Sequence, residues 1–173
     1  IYVIEDCAQS FLAKYKEKYV GTIGHMSSFS FETKKHMTTG QGGMVLTDDE
    51  ELAVKIRKHA GLGYKTLTSK QGMTALLPQE FQNPDFKRHD SLAYNYRMPE
   101  VAAAMGLAQV ERIDDFINLR VEIAKMLKDA IGDCDYLIPQ VTPQGYTNSY
   151  WALAVRYEGE NSIGLTWEEF RKE

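Results

Sequence analysis

The chain has 173 residues, with 20 Lys and Arg against 24 Asp and Glu, and therefore a formal net charge of −4. A hydrophobic fraction of 43% and a charged fraction of 25% are typical of a globular protein and exclude a disordered or fibrous chain. The acidic balance, without a basic stripe, argues against nucleic acid or an anionic membrane surface as the main partner. A small charged metabolite stays open as a ligand.

Three short strands are predicted in the first 46 residues. The apolar run 1–4 predicts a buried strand that ends at Glu5 and Asp6, and aromatic residues alternate with serines over residues 26–31. A third apolar run covers residues 44–46. Loops rich in Gly, Ser and Thr join these strands, which is the pattern of a sheet whose loops build a site.

A helix is predicted after the third strand. Thr47 and Glu50 have the spacing of a capping box, Leu52 and Ile56 lie on one helical face, and Gly61 is the expected stop. Residues from about 62 to 93 show no clean period and hold several Gly and Pro residues. We expect an irregular excursion there, and excursions of that length are usually functional or disordered.

Two further helices and a strand complete the predicted elements. Pro99 is expected at the first helical position, with an apolar period that continues to Ile113, and a second helix is expected over residues 116–131 with Gly132 as its cap. The small residues 102–104 and Gly106 would let a neighbouring backbone approach closely. A strand is predicted over residues 150–157.

The pattern predicts an α/β fold in two parts. Residues 1–131 form the C-terminal portion of a large domain with its connecting helices, and residues 132–173 begin a small α+β domain. Thr166 and Glu169 have capping-box spacing at the start of a last helix. Because the chain opens inside a strand and closes just after a helix begins, we expect a fragment of a longer protein.

Cysteine and histidine spacing limits the compartment and the chemistry. Cys7 and Cys134 are too few for a disulfide framework and lack zinc spacing, so free thiols in a reducing cytoplasm are expected. The four histidines show no metal-binding pattern, and no metal is predicted. No apolar run is long enough to cross a membrane.

The pair Lys34 and Lys35 is a candidate for covalent chemistry. A lysine attacks a carbonyl carbon only as the neutral amine, and Lys35 lies between a Ser/Phe strand and a Thr/Gly loop, where a partly desolvated site is reasonable. Two solvated loop lysines are the alternative. The glycine-rich loop 38–43 could cradle a phosphate or could need glycine for its backbone alone. Asp6 must face a site or be held by a cap or an ion pair.

Together these motifs indicate one protein family more specifically than any of them does alone. The chain closely resembles the DegT/DnrJ/EryC1/StrS family of sugar aminotransferases, which are pyridoxal phosphate (PLP) enzymes of the aspartate aminotransferase fold. The resemblance runs through five blocks in order: VIEDCAQ from residue 3, FSF from 29, KHMTTGQGGMV from 35, YNYRM from 94 and GLAQVER from 106.

The resemblance implies a role for each matching position of the cofactor site. Lys35, rather than Lys34, forms the Schiff base with PLP, and Asp6 pairs with the pyridine nitrogen and keeps the ring protonated. Gln9 lies near the phenolic oxygen, Ala8 packs under the ring, and Ser30 binds the phosphate.

The resemblance also implies partners. Asn95 reaches the phosphate of the neighbouring subunit in a homodimer, and Tyr96 and Arg97 contact the substrate. The implied reaction moves an amino group from glutamate or glutamine to a keto-sugar nucleotide, in the biosynthesis of amino sugars and cell-surface polysaccharides, in the cytoplasm.

Two departures from the family pattern leave alternatives open. Position 41 is Gln where the family usually has Glu, and the family's N-terminal portion, with a further phosphate-binding turn, is missing. A dehydratase branch has histidine at the lysine position, so Lys35 argues against that chemistry. Another PLP reaction, such as dehydration or a lyase step, and a non-catalytic structural module are the competing interpretations.

Overall fold

The computed structural model describes residues 1–70 and 76–172, so Gly72 of the predicted excursion lies outside the described residues. In chain order the elements are β1 (Ile4–Asp6), β2 (Lys14–Tyr15), β3 (Lys18–Tyr19), β4 (Met26–Ser30), β5 (Gly43–Leu46), α1 (Glu50–Ala60), α2 (Pro78–Gln82), α3 (Glu100–Val110), α4 (Ile113–Ile131), β6 (Leu137–Pro139), β7 (Tyr146–Thr147), β8 (Val155–Tyr157), α5 (Gly159–Ser162) and α6 (Trp167–Phe170).

The central sheet has the order β1-β4-β5, with β1 parallel and β5 antiparallel to β4. All three predicted strands are therefore present. The expectation of a buried strand over residues 1–4 is wrong, because β1 begins only at Ile4 and that side chain is 65% exposed. The reason is position: β1 is an edge strand, paired on one side alone.

A second small sheet was not predicted from the sequence. β2 and β3 form a hairpin whose turn residues, Lys16 and Glu17, have φ of 47° and 65°. Two consecutive residues with positive φ fit the tight hairpin turn that usually takes Asn-Gly, which this sequence lacks. β2 also pairs with β7, and the rings of Tyr15 and Tyr146 lie 4.8 Å apart.

The helices confirm the predicted pattern with shifted ends. The side chain of Asp49, not Thr47, accepts hydrogen bonds from the first turn of α1, because the helix begins at Glu50 and Asp49 is its N-cap. The Thr47 hydroxyl donates to the carbonyl of His25 and accepts from the amide of Asp49. Pro99 is the N-cap of α3 rather than its first helical residue, since its ψ of 146° is extended. α3 ends at Val110, so Ile113 begins α4 instead of continuing the earlier helix.

The core joins the sheet to α4. Phe31 and Met37 pack with Ile113 and Ile117, and all four side chains are buried. Phe31 and Met37 flank Lys35 in the chain, so this cluster fixes the segment that carries the lysine.

The C-terminal part contains an antiparallel pair, β6 with β8. The strand predicted over residues 150–157 is limited to β8, because Tyr150 has a φ of 48° and cannot continue an extended chain. Gly132 caps α4 as predicted, and the capping box of Thr166 and Glu169 begins α6.

Candidate functional site

Lys35 lies on the connection from β4 to β5, here named the lysine loop (residues 31–42). The ends of the loop meet where the amide of Phe31 donates to the carbonyl of Gly42 at 2.9 Å, and the amide of Thr39 donates to the Phe31 carbonyl at 3.0 Å. The Lys35 side chain is half-buried. The loop is therefore a closed turn with a defined shape.

α3 holds the loop from one side. The side-chain carbonyl of Gln109 accepts from the Thr38 amide at 2.8 Å, and its NH₂ group donates to the Thr38 carbonyl at 2.7 Å. Gly106 is buried, and a Cβ there would lie 3.0 Å from the Cγ2 of Thr39. The close approach predicted at Gly106 is therefore made by side chains, of Thr39 and Met37, and not by a neighbouring backbone. Gln109 pairs with both backbone groups of Thr38 as a neighbouring strand would.

Residues 149–151 hold the loop from the opposite end of the sequence. The indole Nε1 of Trp151 donates to the carbonyl of Lys34 at 2.8 Å, and the Nζ of Lys35 lies 5.1 Å from the centroid of the Trp151 ring. His36 Nε2 donates to the carbonyl of Ser149 at 3.1 Å. Sequence reasoning missed Trp151, since no local spacing links it to a lysine so distant in the chain.

His36 is buried and its pKa is lowered. Burial is the largest cause, the positive charges of Arg120 and Lys35 add to it, and the hydrogen bond to Ser149 opposes it. The residue beside the candidate lysine is therefore held as a neutral ring.

Asp6 lies at the carboxyl end of β1, opposite Ser28 of β4. Because side chains alternate along a strand, Ser28 and Ser30 share the sheet face of Asp6. The Asp6 carboxylate is exposed and accepts a hydrogen bond from the Ala8 amide at 3.1 Å, so a local cap of the following turn explains part of its environment. Ala8 is half-buried and Gln9 is exposed.

Glu5, on the other face of β1, anchors the loop before β4. Its carboxylate accepts from the amides of Gly21, Ile23 and Gly24 at 2.7, 2.8 and 2.6 Å. Burial alone would raise the pKa of Glu5, but the three amides outweigh it and hold the pKa below 4.5. The carboxyl end of β1 is thereby fixed next to Asp6.

In the glycine-rich part of the lysine loop, the hydroxyl groups of Thr38 and Thr39 form hydrogen bonds with the backbone of the same loop. Thr38 Oγ1 accepts from the Gly40 amide at 2.8 Å, and Thr39 Oγ1 donates to the Gln41 carbonyl at 2.8 Å. Gly42 has a φ of 152°, and a Cβ there would lie 2.7 Å from Thr39 Oγ1. These contacts favour the alternative in which glycine is needed for the backbone.

Asn95, Tyr96 and Arg97 lie on an extended stretch, here named the Asn95 segment (residues 94–98). Its backbone is bound to the end of α1 through the Tyr96 amide and the Ala60 carbonyl, at 2.7 Å. The Nε of Arg97 donates to Oδ1 of Asn95 at 2.8 Å. All three side chains are exposed.

A cavity of about 1180 Å³ lies between the sheet face, α1 and the Asn95 segment. Ser28, Gln41, Tyr96 and Arg97 are among its lining residues, whereas Lys35 is not. The structure thus brings the two predicted substrate residues, Tyr96 and Arg97, to one cavity with Ser28, whereas Asp6 is not among the lining residues. Over residues 1–70 and 76–172, no hydrogen bond or ion pair joins Lys35 directly to another predicted site residue: Asp6, Ala8, Gln9, Ser30, Asn95, Tyr96 or Arg97.

None of the helices in the described part of the chain is both long enough and apolar enough to span a bilayer.

Comparison with known proteins gives consistent matches. The sequence profile of the DegT/DnrJ/EryC1/StrS aminotransferase family matches residues 1–168. A GDP-perosamine synthase of Escherichia coli O157:H7 is 38% identical over 155 residues, which are 90% of this chain and 37% of that protein. An aminotransferase from Psychrobacter cryohalolentis has a TM-score of 0.82 and 31% identity, covering 100% of this chain and 45% of its own.

A GDP-4-keto-6-deoxymannose-3-dehydratase is also similar, with a TM-score of 0.78 and 26% identity over 94% of this chain and 42% of that one. These matches confirm the predicted α/β fold class, as a part of the aminotransferase fold. The chain spans less than half the length of each of the three proteins.

Proposed function

This chain belongs to the DegT/DnrJ/EryC1/StrS aminotransferase family, and we propose that it is part of a PLP-dependent sugar aminotransferase. The reaction transfers an amino group from glutamate or glutamine to a keto-sugar nucleotide, in amino-sugar and polysaccharide biosynthesis. The observation that carries the proposal is the closed loop that holds Lys35, which directly follows β4, the strand whose Ser28 lies opposite Asp6.

The donor set on the sheet face of Asp6 fits the cofactor. Asp6 offers a carboxylate, Ser28 and Ser30 offer hydroxyls, and Lys35 offers a primary amine on the loop that leaves the same strand. These groups match a protonated ring nitrogen, a phosphate and an aldehyde. When bound, PLP supplies that aldehyde and a ring that withdraws electrons from the carbon being deprotonated.

Each residue has a proposed task at this site. Lys35 is the covalent anchor, and after its release the same Nζ moves a proton to and from the substrate carbon. Asp6 keeps the ring nitrogen protonated by placing a negative charge beside it. Ser30 binds the phosphate, Ala8 packs against the ring face, and Gln9 contacts the phenolic oxygen.

The cavity beside the Asn95 segment is the proposed substrate site. The guanidinium of Arg97 and the phenol of Tyr96 line it, and both are suited to the phosphate and hydroxyl groups of a sugar nucleotide. Lysine at position 35, where the resemblance places histidine in dehydratases, favours amino transfer over dehydration.

A matched pair of variants tests the covalent anchor. We expect PLP to produce a new absorption band with the complete protein to which this chain belongs and with its Lys34→Ala variant, because both keep the amine of Lys35. Lys35→Ala is expected to abolish the band, and borohydride reduction followed by mass spectrometry should place the cofactor mass on the peptide of Lys35. An unchanged band in Lys35→Ala, or no band with the complete protein, would overturn the proposal, and no band with the 173-residue chain alone would show that this part is a structural module without its own cofactor site.

Product analysis tests the reaction. The complete protein is incubated with PLP, keto-sugar nucleotides and either glutamate or glutamine, and the products are separated by mass. An amino-sugar nucleotide supports the proposal, and a deoxy-sugar product would indicate dehydration instead.

The second copy of the chain is proposed to cover α3. Val101 and Leu107 are 76% and 62% exposed on opposite parts of this helix, which is apolar nearly all round. Such helices are normally buried. In such a homodimer the resemblance implies that Asn95, whose side chain is exposed, reaches the cofactor site of the second copy.

Sedimentation of Leu107→Glu tests this assembly. The variant is expected to sediment as a monomer and the wild-type chain as a dimer, because a charge would be buried unpaired in the interface. Leu119→Glu, on the exposed surface of α4, serves as control and should leave the dimer intact. A monomeric wild-type chain would contradict the assembly.

We propose residues 1–131 as part of the large PLP-binding domain and 132–173 as the start of the small one. Gly132, at which α4 ends, would be the boundary. Limited proteolysis with a first cut near Gly132 would support the division. The free thiols of Cys7 and Cys134 support a cytoplasmic location.

A further inference from the structure

Three consecutive residues of the lysine loop are contacted by one short segment, here named the Tyr150 turn (residues 148–151). The carbonyl of Lys34 accepts from the Trp151 indole, the Nζ of Lys35 lies over the Trp151 ring, and His36 donates to the Ser149 carbonyl. His36 is 5% exposed and Ser149 is 1% exposed. The two segments are thus joined through backbone, side-chain charge and a buried ring.

The Tyr150 turn is itself held in a conformation that its sequence does not favour. Tyr150 has a φ of 48°, a left-handed backbone that non-glycine residues avoid, and its amide donates to Oδ1 of Asn148 at 2.9 Å. Lys128 of α4 donates to the Tyr150 hydroxyl at 2.9 Å, and Arg120 donates to the Trp151 carbonyl at 3.2 Å. Strained residues persist where surrounding contacts over-determine them, and they cluster at functional sites.

The chemistry of the contact concerns the lysine side chain. The lysine side chain has four methylene groups joined by rotatable bonds, so an unrestrained Nζ samples many positions. The face of a tryptophan attracts an ammonium group more strongly than other aromatic faces do. The ring of Trp151 therefore restricts the amine while the indole N–H fixes the backbone beneath it.

We propose that Trp151 is a positioning residue that holds the ammonium group of Lys35 against its ring until PLP arrives, with α4 supporting it through the Tyr150 turn. This inference rests on the proposed function. It adds a residue from the late part of the chain to a site otherwise built from residues before 100.

The first experiment measures the contact without cofactor. Trp151 and Trp167 are the only two tryptophans, so Trp167→Phe leaves Trp151 as the sole indole fluorophore. In that background, Lys35→Ala is expected to shift the emission maximum, because it removes the charge over the ring, whereas Lys34→Ala is expected to leave it unchanged. Equal spectra for both lysine variants would overturn the proposal.

The second experiment measures positioning. The rate at which borohydride traps PLP on Lys35 is compared for the complete protein, Trp151→Phe and Trp151→Leu, with Trp167→Leu as the matched control. We expect Trp151→Leu to trap PLP about threefold to tenfold faster, because the lysine no longer has to leave a partly exposed cation–π contact before it attacks. Trp151→Phe keeps a ring and should lie between leucine and wild type, with Trp167→Leu at the wild-type rate.

Urea unfolding of the same variants separates positioning from folding. If the trapping rates follow stability alone, or if Trp151→Leu traps PLP no faster than Trp167→Leu, Trp151 has only a structural role and the proposal is wrong. If the complete protein captures no PLP, the proposed function fails, while the emission experiment still decides whether Trp151 holds the amine.

Discussion

The lysine loop and the Asn95 segment meet the rest of the chain in opposite ways. The loop is contacted from two directions: α3 binds Thr38 through Gln109, and the Tyr150 turn binds Lys34 and His36. The Asn95 segment is bound through its backbone, while its side chains are exposed. The segment that carries Lys35 is therefore shaped by contacts within this chain, whereas the Asn95 segment leaves its side chains exposed.

Met37→Ala gives the largest expected effect on this comparison. Met37 is 1% exposed in the core beneath the lysine loop, so the cavity left by truncation is expected to lower the free energy of unfolding by about 2–5 kcal/mol. Urea unfolding measures the change. Met126→Ala, at a side chain that is 69% exposed, is the control and should change stability by less than about 0.5 kcal/mol. Equal losses of unfolding free energy in the two variants would mean that the packing of Met37 does not anchor the lysine loop.

Gln109→Ala tests the contact from α3. The variant leaves the amide and the carbonyl of Thr38 without their partner, and we expect a loss of about 1–3 kcal/mol in the free energy of unfolding. Gln79→Ala, at an exposed position of α2, is the comparison, and a difference below about 0.5 kcal/mol between the two would contradict this account.

The pH dependence of stability tests the burial of the His36 ring against Ser149. Its pKa in the folded chain is below 6.5 because of burial, so the unfolded chain takes up a proton first as the pH falls. Stability is therefore expected to decline below about pH 6.5 and to level off below the folded pKa. His36→Gln should flatten this part of the curve, whereas His59→Gln, at an exposed ring, should not. Identical curves for both variants would refute the assignment.

Arg97→Ala gives the smallest expected effect on stability. The side chain is exposed and bonded to Asn95 alone among the described hydrogen bonds, so the free energy of unfolding should change by less than about 0.5 kcal/mol. Binding of a sugar nucleotide, measured by calorimetry, should weaken nonetheless. A large loss of stability would show that the Asn95 segment is as firmly built into the fold as the lysine loop.

The sequence predicts what local patterns determine. Strand alternation located β4, glycine at position 132 ended α4, and the spacing of Thr166 and Glu169 located α6. The five ordered motif blocks identified the family, because their spacing records a whole fold rather than one element.

The missed features depend on contacts between distant residues. The hairpin turn at Lys16 and Glu17 carries no glycine, so its positive φ values have no sequence signature. The left-handed Tyr150 and the position of Trp151 follow from hydrogen bonds to α4 and to the lysine loop. Propensity and periodicity describe neighbours in the chain, and they contain no information on such pairs.

The separation of the Tyr150 turn from the lysine loop has a consequence for biosynthesis. The bonds that join them span 113 and 117 residues. A nascent chain released from the ribosome as far as α3 already carries Lys35, Asp6 and Ser30, yet it lacks every contact from Ser149 and Trp151. Long-range contacts form only after both partners have been synthesised and the intervening chain has closed. The contacts between the lysine loop and the Tyr150 turn are therefore expected to form late.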